Sequence, residues 1–127
     1  MTDVEVIDAS AVAAVLFGEP GADLAAAQVT APRLVAPTLL MFEVANVCLK
    51  KLRRLPEQRA ALLAAWGRLP RLDIALMEVD HPAALLLAEA TRLSAYDASY
   101  LWLARHLGSR LVTLDARLRA AADAATA

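Results

Sequence analysis

The sequence predicts an α/β fold, one domain with a mainly parallel central sheet of four to five strands flanked by helices. Three observations carry this. Short apolar runs of strand length alternate with longer segments of helical period. The runs read as mostly buried, as parallel strands covered on both faces do. The 127 residues fit one domain with a substantial core.

Residues 4–8, with Val4, Val6 and Ile7, read as the first strand. A helix follows over 10–17, ended by Gly18, Glu19 and Pro20. A second helix fits 22–30. Residues 33–36 form a short apolar strand closed by Pro37. Proline is tolerated in the first turn of a helix, so Pro37 is expected to open the next one, running to about Leu52. On it Leu40, Met41, Val44, Val47, Cys48 and Leu52 recur at helical spacing. An amphipathic helix over 56–69 carries Trp66, and Pro70 ends it. Residues 72–79 contain the third strand. Asp80 is a preferred N-cap, with Pro82 in the first turn of a helix reaching Leu93. Ser94 caps a helix over 95–107, and Gly108 is its natural closing residue. The last clear strand lies in 110–114. A short terminal helix runs from Asp115 or Ala116 to Ala124, in an Ala-rich tail expected to fray over 119–127.

Composition narrows the function. No stretch approaches the roughly 20 apolar residues that a membrane-spanning helix needs. The first residues carry no basic n-region, so a secretory signal is not expected. One cysteine, Cys48, excludes an internal disulfide, and a cytoplasmic location is expected. Without a Cys/His cluster, zinc is not expected. The formal net charge is −1, so no global basic field attracts nucleic acid. Yet Lys50, Lys51, Arg53, Arg54 and Arg59 concentrate five of the 13 cationic side chains in one stretch. They are either a solvated helix end, where the dipole favours cations, or a phosphate-contacting patch. A 59% hydrophobic content is high for a soluble monomer and raises the prospect of apolar surface covered by a partner.

The chemistry lies in four acidic residues held in apolar contexts. Asp8 ends the first strand, Glu43 follows Met41 and Phe42, Asp97 follows Tyr96, and Asp115 follows Leu114. Removing a carboxylate from water is costly unless it is paired, hydrogen-bonded or metal-bound. Each has an ordinary explanation. Asp8 and Asp115 are preferred N-caps, and Ser94 with Asp97 resembles a capping box. Glu43, read as mid-helix, has the weakest one. Together, with two at strand carboxyl ends where ligands sit in open parallel sheets, they point to one shared cation site. Oxygen ligands alone suit Mg²⁺ or Mn²⁺. Such a cluster supports phosphodiester hydrolysis. Ser10 and Thr113, each two residues from a cluster Asp, are candidates to hydrogen-bond these carboxylates. Asn46 shares the stripe of Glu43. Lys50, Lys51, Arg53 and Arg54 are the candidate contacts for a substrate's phosphate backbone.

Four segments resemble the motifs of the PIN-domain family, specifically the VapC-type toxins of bacterial toxin–antitoxin pairs. They are Val6 to Val12 around Asp8, Glu43 to Val47, Tyr96 to Ala104, and Leu111 to Asp115. They occur in the family's order, and the resemblance runs over about 4–118. It implies a PIN-like fold and a metal-dependent endoribonuclease, with Asp8, Glu43, Asp97 and Asp115 around Mg²⁺ or Mn²⁺. It also implies a homodimer inhibited by a small antitoxin encoded alongside. Such chains commonly add a final short strand after the last helix, for which residues 119–127 offer little.

Two other functions fit parts of the pattern. A receiver-like phosphoacceptor also keeps an acidic Mg²⁺ pocket, with Asp80 as acceptor. It would want an acidic pair after the first strand and a lysine after the last, where Ala9 follows Asp8 and the only lysines are Lys50 and Lys51. A catalytically silent binding module would use the apolar surface alone, against which the four carboxylates argue.

Overall fold

In a computed structural model, which describes residues 3–124, four parallel strands form one sheet in the order β3-β2-β1-β4. β1 (Val4–Ile7) lies at its centre, between β2 (Arg33–Pro37) and β4 (Leu111–Val112), with β3 (Ile74–Met77) outside β2. Val6 pairs with Val35 on one side and Leu111 on the other. β1 is buried because helices cover it: Val6 is 0% exposed. Among the described residues seven α-helices surround the sheet: α1 (Ala9–Phe17), α2 (Ala22–Gln28), α3 (Leu40–Arg54), α4 (Arg59–Trp66), α5 (His81–Thr91), α6 (Ala95–Leu107) and α7 (Ala116–Ala124). Val12 of α1, Leu40 and Val44 of α3, Tyr100, Leu101 and Leu103 of α6 and Leu118 of α7 join the strands in one core. Among the described residues no helix is long and apolar enough to cross a membrane.

Parallel strands bring chain reversals of one kind to one edge. Asp8, the turn after β2, and residues 113–115 after β4 all leave the carboxyl ends. α6 precedes β4, so its N-terminus lies at that end too. The fold therefore gathers Asp8, Glu43, Asp97 and Asp115 on one side of the sheet.

Several boundaries differ from expectation, each for a local reason. Pro37 does not open α3. It is the last residue of β2, paired with Met77, beyond the point where β1 pairs with β2, so its missing N–H costs no bond there. α3 starts at Leu40, which puts Glu43 in its first turn rather than mid-helix. The helix expected over 56–69 is broken. Leu55 precedes a proline and leaves the helical region. A 3₁₀ turn at Pro56–Gln58 then leads into α4, and another, Leu69–Leu72, follows it. α2 stops at Gln28 because Val29 is extended. α5 stops at Thr91, where Arg92 turns left-handed with φ 61°. The tail expected to fray from 119 is helical to Ala124 and anchored by Leu118, which is 0% exposed. The last three residues of that tail lie outside the described residues.

The expected upper limit of five strands is not reached among the described residues. β4 pairs over two residues only, and two side chains serve its outer edge. Val6 N and Asp8 N donate to Arg110 O and Val112 O on the inner side. The alternate residues Leu111 and Thr113 therefore face outward. The Arg119 guanidinium donates to Leu111 O. Gln28 takes both groups of Thr113: Nε2 donates to Thr113 O at 3.0 Å, and Thr113 N donates to Oε1 at 3.2 Å.

Candidate functional site

Asp8 is the most enclosed of the four carboxylates, 4% exposed. It follows β1 directly and caps α1, with Ala11 N donating to Oδ1 at 3.1 Å. Ser10 Oγ also donates to Oδ1, at 2.7 Å, and Thr113 Oγ1 donates to Oδ2 at 2.6 Å. Both hydroxyls accept in turn. Ser10 Oγ takes the Leu114 amide and Thr113 Oγ1 the Asp115 amide, each at 3.0 Å. The loop after β4 is thus tied to Asp8 through two hydroxyls, as expected for Ser10 and Thr113.

Glu43 Oε1 accepts the Tyr100 hydroxyl at 2.6 Å, across from α6 to α3. Ser94 caps α6, its Oγ accepting the Asp97 amide at 3.0 Å, and Asp97 sits in the first turn. Asp115 Oδ1 accepts Leu118 N at 2.9 Å and so caps α7. The cap explanations hold for Asp8 and Asp115, and of the capping box at Asp97 the Ser94 half is formed; the same caps place these carboxylates at the shared edge.

Electrostatics link the group. Burial raises the carboxyl of Asp8 above its ordinary value, against pulls from Thr113, Ser10 and Ala11, and the charge of Asp97 raises it further. Burial raises Glu43, the Tyr100 hydroxyl opposes, and Asp97 and Asp8 add to the rise. Burial and then the charge of Asp115 raise Asp97, while Ser94 and Arg117 oppose. Burial also drives the Tyr100 phenol upward, with the Glu43 hydrogen bond adding, so it stays a donor. These acids sense one another and are under-compensated by cations.

The donor set is all oxygen. Asp8 Oδ1 is saturated by two donors, whereas Oδ2 takes one. Glu43 and Asp115 each use one oxygen, leaving the other for a ligand. Among the described residues no three His, Cys, Asp or Glu side chains stand close enough to enclose an ion. The expected four-carboxylate cage is therefore not preformed. The arrangement suits an ion that brings water of its own. Mg²⁺ is held through one or two carboxylates and keeps several waters.

Beside Glu43 a groove of about 660 Å³ is lined by Ser10, Asn46, Glu19 and Leu114 among others. Asn46 faces this groove and makes no hydrogen bond to the carboxylates among those of the described residues. Of the four basic residues, Lys51 is engaged inside the fold. Its Nζ meets Glu19 Oε2 at 2.7 Å and lies 5.6 Å from the centre of the Phe17 ring. Lys51, Arg53 and Arg54 occupy the last turn of α3. At a rise of about 1.5 Å per residue, Lys50 lies roughly 10 Å along the helix from Glu43. Asp80 is exposed, caps α5, and follows the edge strand β3, with β2 between it and β1. It is no phosphoacceptor beside Asp8. Sequence reasoning missed Tyr100, Gln28 and Arg117 as members of the surroundings. Only Tyr100, within the motif of Asp97, carried any signal.

No curated protein matches the chain significantly. Among solved structures it is similar to the crystal structure of PAE2754 from Pyrobaculum aerophilum, with a TM-score of 0.73 and 26% sequence identity, over 92% of this chain and 84% of that one. The family model of the PIN domain matches residues 6–124. That match takes in β1 from Val6 onward, the other three strands and the seven described helices, including every carboxylate of the cluster, and the chain belongs to the PIN domain family.

Proposed function

We propose that the chain is a divalent-metal-dependent endoribonuclease and the toxin of a toxin–antitoxin pair. One observation supports this most: at the carboxyl end of the sheet the charge of Asp97 raises the buried Asp8 and the part-buried Glu43, Asp8 also raises Glu43, and Asp115 raises Asp97. Membership in a family of nucleases gives that cluster its chemistry. Asp8 and Asp97 would hold Mg²⁺ or Mn²⁺ directly, and Glu43 and Asp115 would complete the site or act through water. A bound ion of this kind lowers the pKa of water and neutralises charge at the phosphate. The chain's own residues prepare the place. Ser10 and Thr113 fix the Asp8 carboxylate in one orientation, and Tyr100 fixes Glu43. Burial of Asp8 limits solvent screening at that carboxylate, while Glu43, Asp97 and Asp115 stay partly open to water.

The RNA backbone would approach along the groove beside Glu43 toward the end of α3, where Lys50, Arg53 and Arg54 are exposed. The protein partners are a second copy of this chain and a co-encoded antitoxin. Phe42, Leu85, Leu86 and Tyr96 support that, because each is more than half exposed and a covered apolar surface would explain them.

The test is cleavage of single-stranded RNA with Mg²⁺ or Mn²⁺, with chelator, and with the co-encoded partner titrated in. Asp8→Asn and Asp97→Asn should abolish cleavage while the fold survives. Near-full activity of either variant at saturating metal would overturn the assignment. Cleavage unaffected by the partner would remove the toxin role and leave the nuclease.

A further inference from the structure

We propose that Gln28 is a positioning residue of the carboxylate site: its carboxamide takes the place of a fifth strand against Thr113 and thereby sets the hydroxyl that holds Asp8. The proposal rests on the cleavage site described above, yet Gln28 touches none of its carboxylates. It closes α2, whose other residues are Ala22, Asp23, Leu24 and three further alanines. Its side chain is half-buried and makes three hydrogen bonds. Nε2 donates to Thr113 O at 3.0 Å, and Oε1 accepts Thr113 N at 3.2 Å and Arg119 Nη2 at 3.0 Å.

An amide that gives one bond and takes one from the same residue reproduces the pairing of a neighbouring strand. It does so at Thr113, just beyond β4, whose side chain reaches the site. Thr113 is 2% exposed. With its backbone fixed on both polar groups, its Oγ1 is held 2.6 Å from Asp8 Oδ2 and 3.0 Å from the Asp115 amide. The Asp8 carboxylate and the backbone of Asp115 are therefore held through one hydroxyl, and that hydroxyl through Gln28. Arg119 completes the support by bonding Leu111 O, the other outward carbonyl of β4. A strand in place of Gln28 would have to pair along the whole edge. A carboxamide on a helix end fixes only the residue that matters. Hydrogen bonds behind ligating carboxylates are worth about tenfold to a hundredfold in metal affinity.

The experiment uses the full chain, with Gln28→Met, which keeps side-chain length and removes both hydrogen-bonding groups, in wild-type and Thr113→Val backgrounds. Gln28→Glu keeps the acceptor for Thr113 N and Arg119 but loses the donor to Thr113 O. Two readouts are taken: the Mn²⁺ dissociation constant without RNA, by electron paramagnetic resonance, and amide hydrogen exchange at Asp115. Gln28→Met should weaken Mn²⁺ binding about tenfold and speed exchange at Asp115. Gln28→Glu should fall between, and it decides the matter if Gln28→Met does not fold. In the Thr113→Val background the substitution of Gln28 should change neither readout further. Unchanged affinity and exchange, or an equal loss in both backgrounds, would overturn the proposal. If the wild type binds no Mn²⁺, the cleavage-site reading falls, and exchange at Asp115 alone decides the role of Gln28.

Discussion

Replacing Asp97 by Asn should make the metal-free protein more stable while removing its activity. Asp97 is the hub of the repulsion: its charge raises Asp8 and Glu43, and Asp115 raises it in turn. A like-charge contact between partly solvated groups costs on the order of 1 kcal/mol, so three such contacts give about 3 kcal/mol. Against this, the variant loses a favourable charge in the first turn of α6, worth about 0.3–1 kcal/mol. It also loses the attraction of Arg117. Solvent reaches Asp97 and screens all of these, which leaves a net gain of about 1 kcal/mol, or roughly 4 °C in Tm for a chain of this size.

The assay is thermal melting in chelator between pH 4 and 8. The sign follows from the raised carboxyls. In the folded state Asp8, Glu43 and Asp97 hold protons that the unfolded chain has already released. Wild-type stability from this cluster therefore falls as pH rises from about 4 through the raised values, then levels off. Asp97→Asn should show a shallower fall. Saturating Mn²⁺ should reverse the order, because a hundredfold excess over Kd adds about 2.7 kcal/mol to whichever fold binds it. A variant that melts at or below wild type in chelator at pH 7 would refute the repulsion.

Three other outcomes are expected. Tyr100→Phe keeps the ring in the core and removes the donor to Glu43 Oε1. It should cost about 1–2 kcal/mol of stability and weaken Mn²⁺ binding severalfold, and unchanged Mn²⁺ affinity would show that Glu43 needs no such anchor. Glu5→Ala acts at the opposite end of the sheet, where the buried Glu5 accepts the Thr30 and Ala31 amides and Arg110 Nη1. It should destabilise by about 3 kcal/mol. Burial alone would raise Glu5, but its hydrogen bonds and Arg110 hold it below the ordinary value. Its contribution is therefore full above about pH 4.5 and lost as pH falls through the folded value, which melts at low pH would show as a flattened acid limb in the variant. Replacing Lys50, Arg53 and Arg54 by Ala should reduce the salt dependence of RNA binding by about 2 in log–log slope. Adding Lys51→Ala should not reduce it further, because Lys51 already pairs with Glu19. A steeper slope or an unchanged one would take the end of α3 out of the RNA path.

What could be read from sequence was whatever one chain segment determines alone. Asp8 after an apolar run and Gly108 after α6 announce themselves locally. Asp115 does so too, two residues beyond a threonine. Parallel topology then carries the ends of those segments to one edge without further information. Pro37 failed because its tolerance as a helix opener was weighed without knowing where the neighbouring strand stops. Glu43 was misjudged as mid-helix for the same reason. The rest depends on residues far apart in the chain. Tyr100 meets Glu43 across 57 positions, and Gln28 meets Thr113 across 85. No local periodicity encodes such pairs. Gln28, a polar residue ending an alanine-rich helix, reads in sequence as an ordinary solvated end.

Capping and ligand binding compete for the same carboxylates in a sequence argument, yet here the fold uses one for the other. A capping aspartate must sit just before or within the first turn of its helix, and in a parallel sheet that turn lies at the carboxyl end of a strand. Asp8 caps α1 and Asp115 caps α7 with one oxygen each, while Asp97 enters α6 under the cap of Ser94. A cap engages one carboxylate oxygen and fixes the other in space. The helix dipole favours the ionised form, while burial and neighbouring charges oppose it, and for Asp8 and Asp97 the opposition wins. The capping geometry that stabilises each helix separately thus assembles charges that no helix needs together. That surplus is what distinguishes this edge from the opposite one, where Glu5 is equally buried but has a guanidinium and two amides to answer it.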